Sequence, residues 1–283
     1  MNTYAFRLLN VFAIAGDPFS GNPLAVFEDA RGLSDDQMQA IARQMNLSET
    51  TFIFPSERAS AEVRIYTPSF EMPFAGHPTL GTAHVVRSLT HAGDSLTLEM
   101  KAGIIPVTAQ DNRWELQANA ARTRPVEAAH AELASMLGLD VADIGERPLW
   151  VDTGSEQLII PLRSVAAVGR ASPDIKLMAQ HAFSPVRGAS MAYVWAMNDA
   201  GEIVSRFFFP KTGSIAEDPA TGSACANLGG WFVANGETLP FQRIIHQGAS
   251  VGRPSLLGLR VEPDGWVFVS GLVIELGRGE IGL

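Results

Sequence analysis

A repeated segment places the strongest constraint on how this 283-residue chain can fold. The stretch VRIYTPSFEMPFAGHPTLGTA at 63–83 aligns with SRFFFPKTGSIAEDPATGSA at 205–224. Arg64 matches Arg206, and after a one-residue gap HPTLGTA matches DPATGSA, so that His77 stands opposite Asp218. The offsets are 206 − 64 = 142 and 218 − 77 = 141, about half of the chain. A repeat at this spacing predicts that one supersecondary unit occurs twice.

Each copy predicts a strand, a loop and a helix. Pro78 and Pro219 are expected in the first helical turn, where a missing N–H costs nothing. The first helix has apolar residues at helical spacing and stops near THAGD, whereas the second runs through ATGSACANLGGWFVAN and ends at Gly236. Both helices carry small residues, which suit a helix that is closely surrounded. The remaining segments are typical of strands, which predicts an α+β fold with two pseudo-symmetric domains.

The expected domain division lies between 1–120 and 121–283, and the last strand can cross to the first half. The N-terminal run RLLNVFAIA resembles a short signal peptide. It contains Asn10 and is brief, however, so we expect a first strand at 4–14 and a cytoplasmic protein. Amphipathic helices are expected near 34–45 and 127–137.

Charge and composition exclude several functions. The formal net charge is −9 and the basic residues are scattered, which does not favour nucleic-acid binding. We find no apolar run that is long enough to span a bilayer. Cys225 is the only cysteine, so no disulfide can form within the chain, which fits a reducing compartment.

The predicted helix N-termini offer a site for chemistry. If the two domains face each other across a cleft, two helix ends with unpaired N–H groups and partial positive charge point inward. Such ends bind anions, for example a substrate carboxylate, and His77 and Asp218 would lie at the two mouths. Glu49, in NLSETTFIF, is a candidate carboxylate base. The alternative for Glu49 is a solvated loop residue or part of a helix-capping box.

Four segments together resemble the PhzF family of phenazine biosynthesis: DPFSGNPLAVF, NLSETTF, PFAGHPTLGTA and EDPATGSA. That family has a diaminopimelate epimerase-like fold, in which each domain is a barrel-like sheet around a central helix. The resemblance implies isomerisation without a cofactor and usually a homodimer, and the two helix N-termini favour a small carboxylate-bearing substrate. It implies catalytic roles for Glu49 as general acid/base and for His77, Asp218 and Ser223. It also implies substrate binding by the backbone of Gly76, Gly222, Ser223 and Ala224.

Other functions remain as alternatives. A racemase with two thiols is excluded within one subunit, and we expect Cys225 to be a packed residue. His77, His84 and His91 lie too far apart along one helix to share a metal ion. Ser223, His77 and Asp218 are the residue types of a serine hydrolase triad, but ATGSACA is not the G-x-S-x-G elbow. A catalytically silent protein that binds small acids is the non-enzymatic alternative.

Overall fold

The first half of the chain folds as a closed barrel. A computed structural model describes residues 2–283, and contacts divide the chain into two units: Met1–Gln117 with Ser270–Leu283, and Ala118–Val269. The predicted domain boundary at residue 120 stays a prediction. The elements of unit 1 are β1 Thr3–Ala13, β2 Asn22–Phe27, α1 Asp35–Met45, β3 Glu49–Phe54, β4 Ala61–Tyr66, β5 Glu71–Met72, α2 Gly76–Thr90, β6 Ser95–Met100, β7 Gly103–Gln110 and β8 Arg113–Gln117.

The elements of unit 2 begin with β9 Arg122–Pro125, α3 His130–Leu137, β10 Leu149–Asp152, β11 Gln157–Pro161, α4 Val165–Arg170, α5 Ile175–His181, β12 Phe183–Ser184 and β13 Ala189–Ser190. They continue with β14 Ala192–Met197, β15 Ile203–Lys211, β16 Ser214–Asp218, α6 Gly222–Ala234, β17 Phe241–Gln247, β18 Ser255–Val261 and β19 Val267–Gly282. Short 3-10 helices lie at Val141–Asp143 and Ala249–Val251. Most of β19, from Ser270 onward, belongs to unit 1.

The strands of unit 1 pair in a ring around α2. The order is β1-β2-β3-β4-β6-β7-β8-β19, and β19 returns to β1 in antiparallel register. A closed ring leaves no unpaired strand edge. Helix α2 packs against six of these strands, and its N-terminal residues from His77 to Ala83 are all buried. The ring therefore holds one helix as its core.

Unit 2 repeats this strand order. The pairs β10-β11, β14-β15 and β17-β18 are antiparallel, and the pairs β11-β14 and β15-β17 are parallel. In unit 1 the antiparallel pairs at the corresponding positions are β1-β2, β3-β4 and β6-β7. The corresponding parallel pairs are β2-β3 and β4-β6. Helix α6 packs against β9, β10, β11 and β18. The predicted α+β fold, with barrel-like sheets around central helices, is confirmed.

An ion pair recurs at the same place in both units. Arg64 on β4 donates to both carboxylate oxygens of Glu71, at 2.8 and 2.7 Å, and Arg206 on β15 donates to Glu217 at 3.0 and 2.7 Å. Each arginine also lies over the aromatic ring two residues further on, Tyr66 or Phe208. In both hairpins the glutamate pairs with that aromatic residue in register. The repeat read from the sequence is therefore present in the packing.

The structure corrects the alignment beyond this ion pair. Four residues separate Tyr66 from Glu71, whereas eight separate Phe208 from Glu217, because the β15-β16 hairpin is longer. From the glutamates onward the two segments EMPFAGH and EDPATGS correspond, and both helices begin at the glycine (222 − 76 = 146). The prediction that His77 matches Asp218 is thus wrong. His77 corresponds to Ser223, and Asp218 corresponds to Met72.

The predicted position of Pro219 is also wrong. Asp218 still pairs with Phe207 in the sheet, and α6 starts three residues after the proline, at Gly222. A residue that precedes proline is disfavoured in helical geometry, which keeps Asp218 extended. Pro78 lies in the first turn of α2, as predicted.

Several other elements were predicted correctly. The first strand is present, one residue earlier than expected, and α1 begins after the Ser34 cap and ends at Met45. Helix α6 ends at Ala234, and Gly236 beyond it has a φ of 77°, in keeping with its predicted place at the end of the helix. Helix α3 begins at His130, three residues later than the predicted start at 127.

Glycine at position 81 permits the close approach of α2 to the sheet. A methyl group there would lie 2.5 Å from Leu24 and 2.9 Å from Val11, which are both fully buried. We expect Gly81→Ala to lower the free energy of unfolding by about 1–3 kcal/mol, although alanine favours helix. Gly169→Ala on α4, where nothing lies within 4 Å, is the matched control and should be neutral or stabilising. Urea unfolding of both variants measures this, and equal stabilities would contradict the packing argument.

Candidate active site

Glu49 is the first residue of β3, at the end of a polar loop. The following TTFIF run is rich in β-branched and aromatic residues, which favours a strand. Parallel pairing with β2 places Glu49 beside Leu24, and only 15% of its side chain is exposed. Glu49 is therefore held by the sheet and is not the solvated loop residue of the alternative interpretation.

His77 contacts this carboxylate from the N-terminus of α2. Its Nε2 lies 3.5 Å from Oε2 of Glu49, and 7% of the histidine side chain is exposed. Burial lowers the pKa of His77 to about 3, opposed in part by a hydrogen bond to the backbone of Pro23. Proline has no N–H, so the ring must donate to its carbonyl oxygen. His77 is thus neutral at pH 7.

The hydrogen bond to Pro23 indicates the tautomer of His77. Nε2 makes no hydrogen bond within residues 2–283, so the donor to Pro23 is Nδ1. Neutral imidazole has one N–H, which leaves a lone pair on Nε2 facing Glu49. When Glu49 is protonated, its carboxyl group can therefore donate a hydrogen bond to Nε2 of His77.

The N-terminus of α2 carries no side-chain cap. Its N-cap residue is Ala75, which has no acceptor, and Thr79 N–H is already bonded to the Ala75 carbonyl. The N–H groups of Gly76 and His77 precede this first helical bond, and Pro78 has none. Anion binding by these N–H groups stays a prediction.

A polar network precedes α6 in unit 2. Thr221 is the N-cap residue, but its hydroxyl donates to Oδ2 of Asp218 at 2.5 Å and does not cap the helix. Gln247 donates to Thr221 Oγ1 at 3.0 Å and to the Asp218 carbonyl at 2.8 Å. Asp218 is thereby fixed at the end of β16.

Ser223 lies in the first turn of α6, between Gly222 and the buried Ala224. Its side chain is half-buried and accepts a hydrogen bond from Gln157 Nε2 at 2.9 Å. Gln157 in turn accepts one from Asn227 at 2.8 Å. Sequence reasoning missed both amides, and the one available signal was an asparagine in the middle of an otherwise apolar helix.

The four predicted catalytic residues thus form two groups. Glu49 and His77 contact each other in unit 1, while Asp218 and Ser223 lie on either side of the start of α6 in unit 2. The roles of these residues, and of Gly76, Gly222 and Ala224 in binding, stay predictions.

The remaining candidates have structural surroundings. Cys225 is fully buried, and burial raises the pKa of its thiol, so it is a packed residue. Within residues 2–283, no cluster of three or more His, Cys, Asp and Glu side chains is arranged to hold a metal ion. No helix in this range is both long and apolar enough to cross a membrane.

Comparisons with known proteins agree with this architecture. An uncharacterized isomerase of Pasteurella multocida is 39% identical over 285 residues, covering 99% of this chain and 95% of that protein. The trans-2,3-dihydro-3-hydroxyanthranilate isomerase of Pseudomonas aeruginosa is 35% identical over 269 residues, covering 92% and 91%. The crystal structure of a PhzF-family phenazine biosynthesis protein from Bacillus anthracis superimposes with a TM-score of 0.88 at 24% identity, covering both chains fully.

Together, the fold and these relatives define the protein as an isomerase. Residues 10–271 match the family described as phenazine biosynthesis-like protein, PhzC-PhzF, and the chain belongs to that family.

Burial of His77 should be visible in the pH dependence of stability. Since its folded pKa of about 3 lies below the ordinary histidine pKa of 6.5, the unfolded chain binds the extra proton, and stability is lost as pH falls from about 6.5 towards 3. Between pH 6.5 and 5 this loss is on the order of 1–2 kcal/mol. We expect His77→Gln to lack that part of the decline.

Urea unfolding at both pH values measures the difference. Burial also lowers the pKa of His84, to about 4. His84 therefore contributes a similar loss of stability with falling pH in every variant. The exposed His130→Gln is the matched control and should behave like the parent. An unchanged slope in His77→Gln would contradict a neutral, buried imidazole.

Proposed function

We propose that the protein isomerises a small carboxylate-bearing substrate by moving a proton, with Glu49 as the general acid/base and without a cofactor. The contact between Glu49 Oε2 and His77 Nε2, 3.5 Å apart and nearly excluded from water, carries this proposal. A carboxylate with a neutral hydrogen-bond acceptor beside it is suited to take a proton from carbon and to give it back.

The proton balance follows from the tautomer of His77. Glu49 takes a proton from a C–H group, and the electron pair of that bond moves into the adjacent π-system of the substrate. The resulting carboxylic acid can donate a hydrogen bond to Nε2 of His77 after a small side-chain rotation from 3.5 Å. Glu49 then returns the proton to a different carbon, so that substrate and product are isomers.

The repeat supports a mechanism with one base. Tyr66 pairs with Thr50 in unit 1, and the corresponding Phe208 pairs with Ala192 in unit 2, so the residue that corresponds to Glu49 is Met191. Unit 2 therefore has no carboxylate at the position that corresponds to Glu49. We infer that the group that removes the proton also returns it, on the same face of the substrate.

Two features support a carboxylate as the bound group. The side chains of the N-cap residues, Ala75 of α2 and Thr221 of α6, do not cap the first N–H groups of these helices. Helix N-termini favour anions through these N–H groups and the helix dipole. The name of the relative from Pseudomonas aeruginosa also denotes a substrate with a carboxylate. That both helix ends act on one substrate, and that the protein is a homodimer, stay predictions.

The alternatives differ from this proposal in ways that can be measured. The Ser223 hydroxyl is hydrogen-bonded to the amide of Gln157, whereas a nucleophilic serine is paired with a base that takes its proton, which disfavours a hydrolase. A silent binding protein would retain acids in the site without exchanging their hydrogen.

Glu49→Gln tests the assignment of the base. We expect incorporation of solvent deuterium into substrate to fall by about 10²–10⁴-fold, because the amide cannot accept the proton. NMR in deuterated water measures this with trans-2,3-dihydro-3-hydroxyanthranilate, followed by a screen of other small unsaturated acids. The melting temperature should stay near that of the parent.

Glu57→Gln, at an exposed loop position, is the matched control and should exchange at the parental rate. Undiminished exchange in Glu49→Gln would show that another group is the base. Binding of acids without exchange by the parent protein would favour the silent binding protein.

A further inference from the structure

A chain of buried amides in unit 2 ends at the hydroxyl of Ser223. Asn227 is fully buried in the interior of α6, and Gln157, at the start of β11, is 2% exposed. Asn227 donates to Gln157 Oε1 at 2.8 Å, and Gln157 Nε2 donates to Ser223 Oγ at 2.9 Å. Water has no access to compete for the two amides.

Backbone groups fix the direction of every bond in this chain. The N–H of Thr153 can only donate, so the Asn227 atom 2.8 Å from it must be Oδ1. Nδ2 of Asn227 then faces the carbonyl of Ser155, which can only accept, and the side chain of Gln157, both at 2.8 Å. Gln157 must therefore present Oε1 to Asn227, which leaves its Nε2 towards Ser223.

The fixed direction determines what Ser223 can do. A hydroxyl group has one proton, and here its oxygen already accepts from Gln157. The proton must point to another acceptor. Ser223 is half-buried in the first turn of α6, so a ligand at this helix end can supply that acceptor.

The fold does not require an amide at this position. The residue of unit 1 that corresponds to Asn227, at the offset of 146, is Gly81, the sixth residue of α2 as Asn227 is of α6. Gly81 packs directly against Leu24 and Val11 inside a barrel with the same strand order. At this position of a central helix, apolar packing thus suffices, whereas Asn227 makes four hydrogen bonds that orient its neighbours.

We propose that Asn227 and Gln157 are positioning residues that make Ser223 an obligatory hydrogen-bond donor to the substrate. The substrate group at Ser223 is then an acceptor, a carboxylate or carbonyl oxygen, and not an ammonium group. This inference rests on the proposed function, because it concerns how the same site binds its substrate.

The ligand-free protein tests the amide orientation by itself. The side-chain NH₂ signals of Gln157 are identified in ¹⁵N–¹H spectra by their loss in Gln157→Met. Ser223→Ala removes the acceptor and should shift one of these two amide protons. Unshifted signals would overturn the inference whatever the protein catalyses.

A double-mutant cycle tests the role of Gln157 in binding. Gln157→Glu places an oxygen towards Ser223 and draws the hydroxyl proton away from the substrate. With trans-2,3-dihydro-3-hydroxyanthranilate, we expect Gln157→Glu to have a KM about 10-fold higher and a smaller change in kcat. This is the pattern when an interaction made equally in the ground state and the transition state is lost. Ser223→Ala should have a similar effect, and the double variant should equal Ser223→Ala within about twofold, because Gln157 acts through Ser223.

Controls separate positioning from folding and from charge. Gln157→Met leaves the Ser223 proton free to donate and should raise KM less than Gln157→Glu does. Gln242→Glu, at an exposed position on β17, adds the same charge and should match the parent. Multiplicative effects of Gln157→Glu and Ser223→Ala would overturn the positioning role. Ser223→Ala can shift the amide signals while the parent protein exchanges hydrogen into neither this acid nor any other screened acid. That outcome would overturn the proposed function and, with it, the assignment of the ligand.

Discussion

The fold depends on how closely each sheet approaches the helix that it surrounds. In unit 1 the approach occurs at Gly81, where the side chains of Val11 and Leu24 occupy the space that a methyl group would need. In unit 2 it occurs at Gly229, against Val267 and Leu259, and at Gly230, against Ala121. Burial of these apolar groups stabilises the helix within the sheet and fixes where it begins. The first turns that carry His77 and Ser223 are therefore positioned by contacts deep in each core.

Duplication explains the framework, and divergence within it explains the chemistry. Both units keep the Arg–Glu pair across the hairpin that precedes the helix, together with the glycine at the helix start. The residue after that glycine is His77 in one unit and Ser223 in the other. The position that holds Glu49 in unit 1, one residue before Thr50, holds Met191 in unit 2. One unit thus carries the buried contact between Glu49 and His77, and the other carries the Ser223 hydroxyl and the amides behind it.

The sequence predicted the elements better than it predicted their correspondence. Prolines, small residues and β-branched runs are local signals, and they located both central helices and the strand after Glu49. The match of HPTLGTA to DPATGSA is also local, and it misaligned the repeats because it took no account of the longer β15-β16 hairpin. Only the strand register, with Glu71 opposite Tyr66 and Glu217 opposite Phe208, shows the true correspondence.

The buried amides lay beyond sequence reasoning for a related reason. Gln157 and Asn227 are 70 positions apart, and their pairing depends on the register of β11 against α6. A buried amide is costly unless all its hydrogen bonds are made, and Asn227 makes four. Such a network has one stable orientation, since reversal of either amide would bring two donors or two acceptors together. The hydrogen-bonding character of Ser223 is consequently set by residues that lie behind it in the core, in the same way that the Pro23 carbonyl sets the free nitrogen of His77.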